Sequence, residues 1–334
     1  MHNTVERSVN PGHFLGRGFV DPVDDMRPSN QVVAAEVLGY DWDNVVIVRG
    51  RTDNHLPWMI GQFGSNSTFT ASRGTYVAAV DAKNKLLEIA VNVLGGGADD
   101  YELKGEKVVH KSDASKSISY AEAAKKAIEL GGKFSGKELP EDINPLTKAS
   151  ATALAGSGLI GVAKDKLPKR GLTPGLVAGF CMVELDRETG QFEIKEYLGV
   201  ADCGTVLHPE GLQTQMLGGS MMGFGLATTE RIVYDHQLGL PATVQFDQAK
   251  PQTYLDMPKK FHWAAVDRPD RDNPVGVKGI GEPIMGAAAA ALINAISDAL
   301  GGTYFHRTPV VRDMIVNALA DRPQSYKPLQ ANTM

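Results

Sequence analysis

Cysteine is nearly missing from this chain: Cys181 and Cys203 are the only two among 334 residues. Two thiols cannot hold a four-thiolate iron–sulfur cluster within one chain, and they build no disulfide framework. Clusters of positive charge are missing as well. The 34 Lys and Arg are outnumbered by 39 Asp and Glu, leaving a net charge of −5. Without a basic block, neither nucleic acid nor an anionic membrane is an expected partner. No run approaches about eighteen apolar residues free of charge, so no segment is expected to span a bilayer as a helix. Residues Met1 to Arg7 lack the apolar core of a signal peptide, and the chain reads as cytoplasmic.

What remains is an ordinary globular composition, 43% hydrophobic and 22% charged. A chain this long buries a large core and is expected to form two lobes. The order of patterns is irregular. Residues 1–28 open with a Gly/Pro/Asp-rich stretch and read as an arm. A helix is predicted over 29–38, stopped by Gly39, then a short strand over Val45-Val46-Ile47-Val48. A long helix over 73–93 ends at Gly95-Gly96-Gly97. Ser119-Tyr120-Ala121-Glu122 is a capping box that opens a helix closed by Gly131-Gly132. Residues 133–172 read as a long, partly irregular connection. A hairpin follows, Leu176–Leu185 and Phe192–Leu198 around Glu188-Thr189-Gly190. This mixture predicts an α+β chain with an arm (1–28) and two α/β lobes (29–165 and 166–334), not a doubly wound sheet.

The most informative segment is Gly276-Val277-Lys278-Gly279-Ile280-Gly281-Glu282-Pro283, which runs straight into Ile284 to Leu300. Glycines let a ligand approach the main chain closely, and Pro283 suits the first turn of a helix. The residues after it are apolar almost all round, which predicts a buried helix ended by Gly301-Gly302. Glu282 is then expected at its mouth, partly shielded from water, where a carboxylate can work as a general base. The same carboxylate could instead satisfy orphan N–H groups at the helix start and do no chemistry.

Other segments also leave two uses open. Glycines 218, 219, 223 and 225 weaken a helix by about 1 kcal/mol each relative to Ala. They serve either close packing or exposure of N–H groups to a phosphate-bearing ligand, with Gln215 as an amide partner. Gly64-Ser65-Asn66-Ser67-Thr68 is either a capping loop or an anion site before the helix expected at 73. Met221 and Met222 suit core packing. Asp202 and His208 suit hydrogen-bonded turns, and both cysteines suit inert buried positions. Arg268 to Pro274 reads as a solvated loop that leads into the Glu282 turn and gates access to it.

The Gly276–Pro283 turn and its Ala-rich helix resemble the catalytic glutamate motif of the molybdenum hydroxylases, the xanthine oxidase and aldehyde oxidase family. Asp202-Cys203-Gly204-Thr205 with His208-Pro209, the Gln215–Gly225 helix, the Gly64–Thr68 loop and the Tyr304–Val311 tail are similar to further family motifs. The likeness covers roughly residues 30–320. It implies the fold of the second molybdopterin-binding domain of these enzymes. It also implies Glu282 as catalytic base, and cofactor contacts at Gly64, Ser65, Asn66, Ser67, Thr68, Gln215, Gly279, Ile280 and Gly281. No side chain would ligate the metal, which the pterin holds. The implied cofactor is molybdenum–molybdopterin in its cytosine dinucleotide form, shared with a partner.

The chain is too short for a complete family catalytic subunit. It resembles the smaller molybdopterin polypeptide of split enzymes of the nicotinate dehydrogenase type. A larger molybdopterin-binding subunit, an iron–sulfur subunit and a flavin (FAD) subunit are the implied partners, and a small molecule is the substrate. The implied reaction is oxidative hydroxylation of a carbon centre in an N-heterocycle, aldehyde or related compound, with water as oxygen source. A catalytically silent paralogue serving structure or assembly is the alternative, and a phosphoanion-binding enzyme outside the family is a third. The sequence departs from the family at Asp24-Asp25-Met26-Arg27-Pro28, where relatives carry Gly-Gln-Gly.

Overall fold

The computed structural model describes residues 13–15, 26–41, 44–46 and 63–326. Within them the fold is α+β, as predicted, with helices accompanying three small sheets. Most of the expected arm, residues Ile47 and Val48 of the expected strand, and Asp24-Asp25 lie outside the described residues. The chain divides into two compact units. One comprises Met1–Thr173 with Pro269–Val277, the other Pro174–Arg268 with Lys278–Met334.

The first unit is organised by helices α1 (Met26–Leu38) and α2 (Ser67–Leu94). Gly39, at φ 63°, ends α1 where the sequence predicts a stop. The long helix begins at Ser67 and not at 73: Thr70 N–H already bonds the Asn66 carbonyl at 2.9 Å. Ser67 and Thr68 of the cluster therefore belong to the first turn of α2, while Gly64, Ser65 and Asn66 lead into it. Three short strands follow, β2 (Tyr101–Lys104), β3 (Lys107–His110) and β4 (Asp113–Ser119), paired as an antiparallel meander. The sequence does not announce them, because each contributes only one buried apolar residue: Tyr101, Val108 and Ile118.

α3 (Tyr120–Leu130) opens on the predicted capping box. Glu122 N–H donates to Ser119 Oγ at 3.2 Å, and Ser119 N–H donates to the Glu122 carboxylate at 2.9 Å. The expected irregular connection, 133–172, in fact holds α4 (Pro145–Leu154) and β5 (Ile160–Val162), the latter buried and parallel to β1 (His13–Leu15). Three residues carry no readable period, so β5 is defined by its partners. Lys85, 5% exposed, donates to the Ile160 carbonyl at 2.8 Å and to Asp81 at 2.6 Å, and Asp81 accepts Val162 N–H at 2.9 Å.

The second unit is built on the predicted hairpin, β6 (Leu176–Leu185) and β7 (Phe192–Asp202). A third strand, β8 (Lys260–Ala265), pairs parallel to β7. Helices α5 (Pro209–Thr228) and α6 (Pro283–Ala299) supply the core with Tyr197 of the sheet, through Phe224, Leu292 and Ile296. A Cβ on Gly179 would sit 2.8 Å from the Ala287 carbonyl, so α6 lies directly on β6. α7 (Arg312–Leu319) closes the hairpin end, where a Cβ on Gly190 would meet Val316 at 2.9 Å.

α6 is not buried all round as predicted. It packs on the sheet and on α5, and the line Gly286, Ala290, Asn294, Asp298 stays exposed.

Candidate functional site

In the second unit, the turn before α6 is gripped at several points. Lys278 N–H donates to the Cys203 carbonyl at 2.7 Å, and its ammonium pairs with Asp202 at 2.7 Å, with side chains 14% and 19% exposed. Asp202 also accepts Gly204 N–H at 3.4 Å, the strand-ending turn predicted for it. A Cβ on Gly175 would stand 2.6 Å from the Gly279 carbonyl. Ile280 is 7% exposed and clusters with Ala201, Cys203, Met216 and Ile284. Its side chain is therefore a core anchor, and only its main chain is left to meet a ligand. Lys278 was not singled out from sequence, because its partner is 76 positions away.

Glu282 occupies the N-cap position of α6, followed by Pro283, with φ −85° and ψ −36°. Contrary to the expected shielding, it is exposed within this chain. Its side chain makes no capping bond to the helix amides. The helix satisfies its start differently, with the Pro283 nitrogen needing no partner and Met285 N–H bonding the Glu282 carbonyl at 3.0 Å.

Of the two uses the sequence left open for the α5 glycines, packing is seen at Gly219 and Gly223. Gly219 meets α6, where a Cβ would stand 3.0 Å from Ile284 Cβ and 3.1 Å from the Gly281 carbonyl. Gly223 likewise faces Ala288, with a Cβ–Cβ separation of 2.9 Å. These are packing glycines. Gly218 is exposed and has nothing within 4 Å of a Cβ. Gln215, partly exposed, lies one helical turn before Gly219. The α5–α6 packing thus brings Gln215 and Gly279–Glu282 to the same end of the helix pair. His208 caps α5, its Nδ1 accepting Gly211 N–H at 2.8 Å, and is a turn residue as predicted.

Gly64–Thr68 lie in the first unit. Gly64 and Ser65 have φ of 63° and 55°, which turns the chain sharply into the 28-residue α2. Asn66 stands at the N-cap without a capping bond, and its Oδ1 is buried with no hydrogen-bond partner among the described residues. A buried acceptor left unpaired calls for a donor from elsewhere. This fits a pterin ring, which carries N–H groups, better than a bare phosphate. Ser67 is buried, and Thr68 and Ser65 are partly exposed.

The segment expected to be a solvated loop keeps Arg268, Pro269 and Arg271 exposed, while Asp272 and Asn273 tie it to α2. Asn273, 6% exposed, donates to Ser72 Oγ at 2.9 Å and to the Phe69 carbonyl at 3.0 Å. The guanidinium of Arg73, 2% exposed, bonds both oxygens of Asp165, at 2.7 and 3.0 Å, and the carbonyls of Leu167, Pro168 and Asp272. Among the described residues no group of three His, Cys, Asp or Glu stands together to hold a metal. No helix of the described residues is long and apolar enough to cross a membrane.

The model of the molybdopterin cofactor-binding domain matches residues 29–258. That span includes Gly64–Thr68 and Gln215. The chain is 26% identical over 291 residues to the large subunit of nicotine 6-hydroxylase from Paenarthrobacter nicotinovorans, covering 86% of this chain and 33% of that one. Wherever it starts, an alignment over 86% of the chain passes through residues 276–283. Among solved structures, a Cu,Mo-CO dehydrogenase chain superposes with a TM-score of 0.70 at 26% identity, over 88% of this chain and 34% of that one. Quinoline 2-oxidoreductase from Pseudomonas putida 86 shares the fold, with a TM-score of 0.72 at 23% identity, over 91% of this chain and 36% of its own. The chain spans about a third of the length of these relatives. With the family model matching more than half its length, the chain belongs to the molybdopterin-binding family of the molybdenum hydroxylases.

Proposed function

We propose that this chain is one half of the catalytic unit of a multi-subunit molybdenum hydroxylase, with Glu282 as its general base. The observation that carries this is the Glu282 turn. Its backbone is bonded to Cys203 and packed on the α5 glycines, the Lys278 ammonium is paired with Asp202, and the carboxylate stands exposed. A carboxylate carried at an anchored turn and exposed at the mouth of α6 stands where a small molecule can reach it.

The residues present suit the cofactor. Asn66 Oδ1 offers an unused acceptor, supported by Gly64, Ser65, Ser67 and Thr68. Within the second unit, Gln215 and the main chain of Gly279, Ile280 and Gly281 are the residues proposed to contact it. When bound, a molybdenum–molybdopterin group supplies the two-electron redox centre at which water serves as the oxygen source. Glu282 takes the proton that is lost as oxygen is delivered to an electron-poor carbon of an N-heterocycle or aldehyde.

The cytosine dinucleotide form of the cofactor, a larger molybdopterin-binding partner, an iron–sulfur subunit and a FAD subunit complete this reading, with the assembly in the cytoplasm. The test is Glu282→Gln in the native complex. Turnover of an aldehyde and N-heterocycle panel should fall about 100- to 10,000-fold while molybdenum content stays at the wild-type level. Retained turnover would remove Glu282 from the mechanism.

A further inference from the structure

The three-stranded sheet of the second unit has one face filled and one face open. Val177, Gly179, Cys181 and Val183 of β6 point inward, toward the core that includes α5 and α6. An antiparallel strand with one wet face should then alternate apolar with polar. β6 does not: its outward residues are Leu176, Ala178, Phe180 and Met182, before Glu184. Leu176, Phe180 and Met182 are 65%, 61% and 59% exposed. In register, Phe180 is paired with Leu198 and Ala178 with Val200, which extends the apolar surface onto β7.

The contrast along the same face marks its limit. Beyond the bulge at Met182/Val183, Glu184 pairs in register with Glu193, and Lys195 and Lys259 form ion pairs with these carboxylates. That end is built for water, as is the His262–Glu196 pair at 2.9 Å beside Met182 and Leu198, so the apolar surface is a band along β6 and the adjoining Leu198 and Val200 of β7. Strands apolar on both faces belong to sheets covered on both faces, and permanent interfaces are the apolar ones.

We propose that the face formed by Leu176, Ala178, Phe180, Met182, Leu198 and Val200 is the seat of the companion polypeptide that carries the rest of the relatives' fold. This rests on the function proposed above. The size of what is missing supports that occupant: this chain accounts for about a third of its relatives, so roughly twice its own length of related polypeptide lies outside it. The companion presents an aliphatic or aromatic surface to Phe180 and Met182, and a polar rim opposite Glu184 and Glu193.

The test uses the complex as it assembles in the cell. Phe180→Glu, the milder Met182→Ser, and a control at exposed Tyr304→Glu are each purified by a tag on this chain. Co-purifying chains are identified by mass, and molybdenum is measured. Hydrogen exchange of α6 serves as the check that the unit stays folded. Expected is at least a tenfold loss of a companion matching the remaining length of the relatives in Phe180→Glu, a smaller loss in Met182→Ser, none in the control, and unchanged α6 protection. Full companion recovery with Phe180→Glu overturns the proposal, as does a face that proves to join two copies of this chain while the companion stays bound. If the wild type carries no such companion and no molybdenum, the failure lies in the proposed function itself.

Discussion

Replacing Arg73 by Met removes a cation that is 2% exposed and whose guanidinium makes five hydrogen bonds, to Asp165 twice and to the Leu167, Pro168 and Asp272 carbonyls. The substitution nearly conserves volume, so the loss is electrostatic. Asp165, with a side chain 19% exposed, keeps only the Leu167 N–H at 2.9 Å. Breaking a buried pair by removing one partner costs about 3–5 kcal/mol, and the residual water access of Asp165 argues for about 3 kcal/mol. For a unit of this size that corresponds to a melting shift of about 6–12 °C. The assay is urea unfolding followed by hydrogen exchange. Protection should be lost first at residues 165–170 and 272–277, which Arg73 ties to α2. Asp165→Leu added to Arg73→Met should recover part of the loss, because it removes the stranded charge. A loss below about 1 kcal/mol, with unchanged protection of 272–277, would refute the reasoning. The pH dependence carries the same signature. Burial pushes the Asp165 carboxyl up, but the Arg73 hydrogen bond, the Leu167 N–H and the Arg73 charge outweigh it and hold the group below the usual carboxylate range. Its stabilising contribution is therefore present above the unfolded carboxylate pKa and is lost as pH falls through the lower folded value. That acid-side loss should vanish in Arg73→Met.

Three further outcomes follow from particular contacts. Gly223→Ala forces a Cβ to 2.9 Å from Ala288 Cβ and 3.0 Å from Ala289 N; it should cost about 1–3 kcal/mol by thermal melting, whereas Gly218→Ala, with open space, should stabilise α5 by up to about 1 kcal/mol. Burial pushes the Cys181 thiol up to about 11 and raises that of Cys203. Neither should alkylate with iodoacetamide at pH 8 until the protein is unfolded. Lys278→Met strands Asp202 beside the Glu282 turn and should cost about 3 kcal/mol in denaturant melts, with part of it returned by Asp202→Leu.

The elements read correctly from sequence are those whose signals are local. The capping box at Ser119, the stops at Gly39 and Gly131 and the hairpin around Gly190 all depend on neighbours within a few residues. The features missed depend on distant ones. β5 exists because Lys85 and Asp81 of α2 hold it. Segment 269–277 is a partly exposed loop, as its charged composition suggests, but its anchorage by a guanidinium 199 positions away is not visible in that composition. Apolar composition misled for α6, since Ala and Gly tolerate the exposed line at 286 and 290. At the site, the Glu282 turn was legible as a motif, while its grip by Lys278 and the unpaired Asn66 oxygen are visible only in three dimensions.

The central claim is that this chain holds a molybdenum–pterin group together with a companion. Native purification under anaerobic conditions, with metal analysis, pterin fluorescence and mass identification of co-purifying chains, tests it directly. The account predicts about one molybdenum per copy of this chain, a dinucleotide-form pterin, and a companion about twice its length. A complex that stays free of metal and pterin throughout would contradict it and leave a silent structural paralogue.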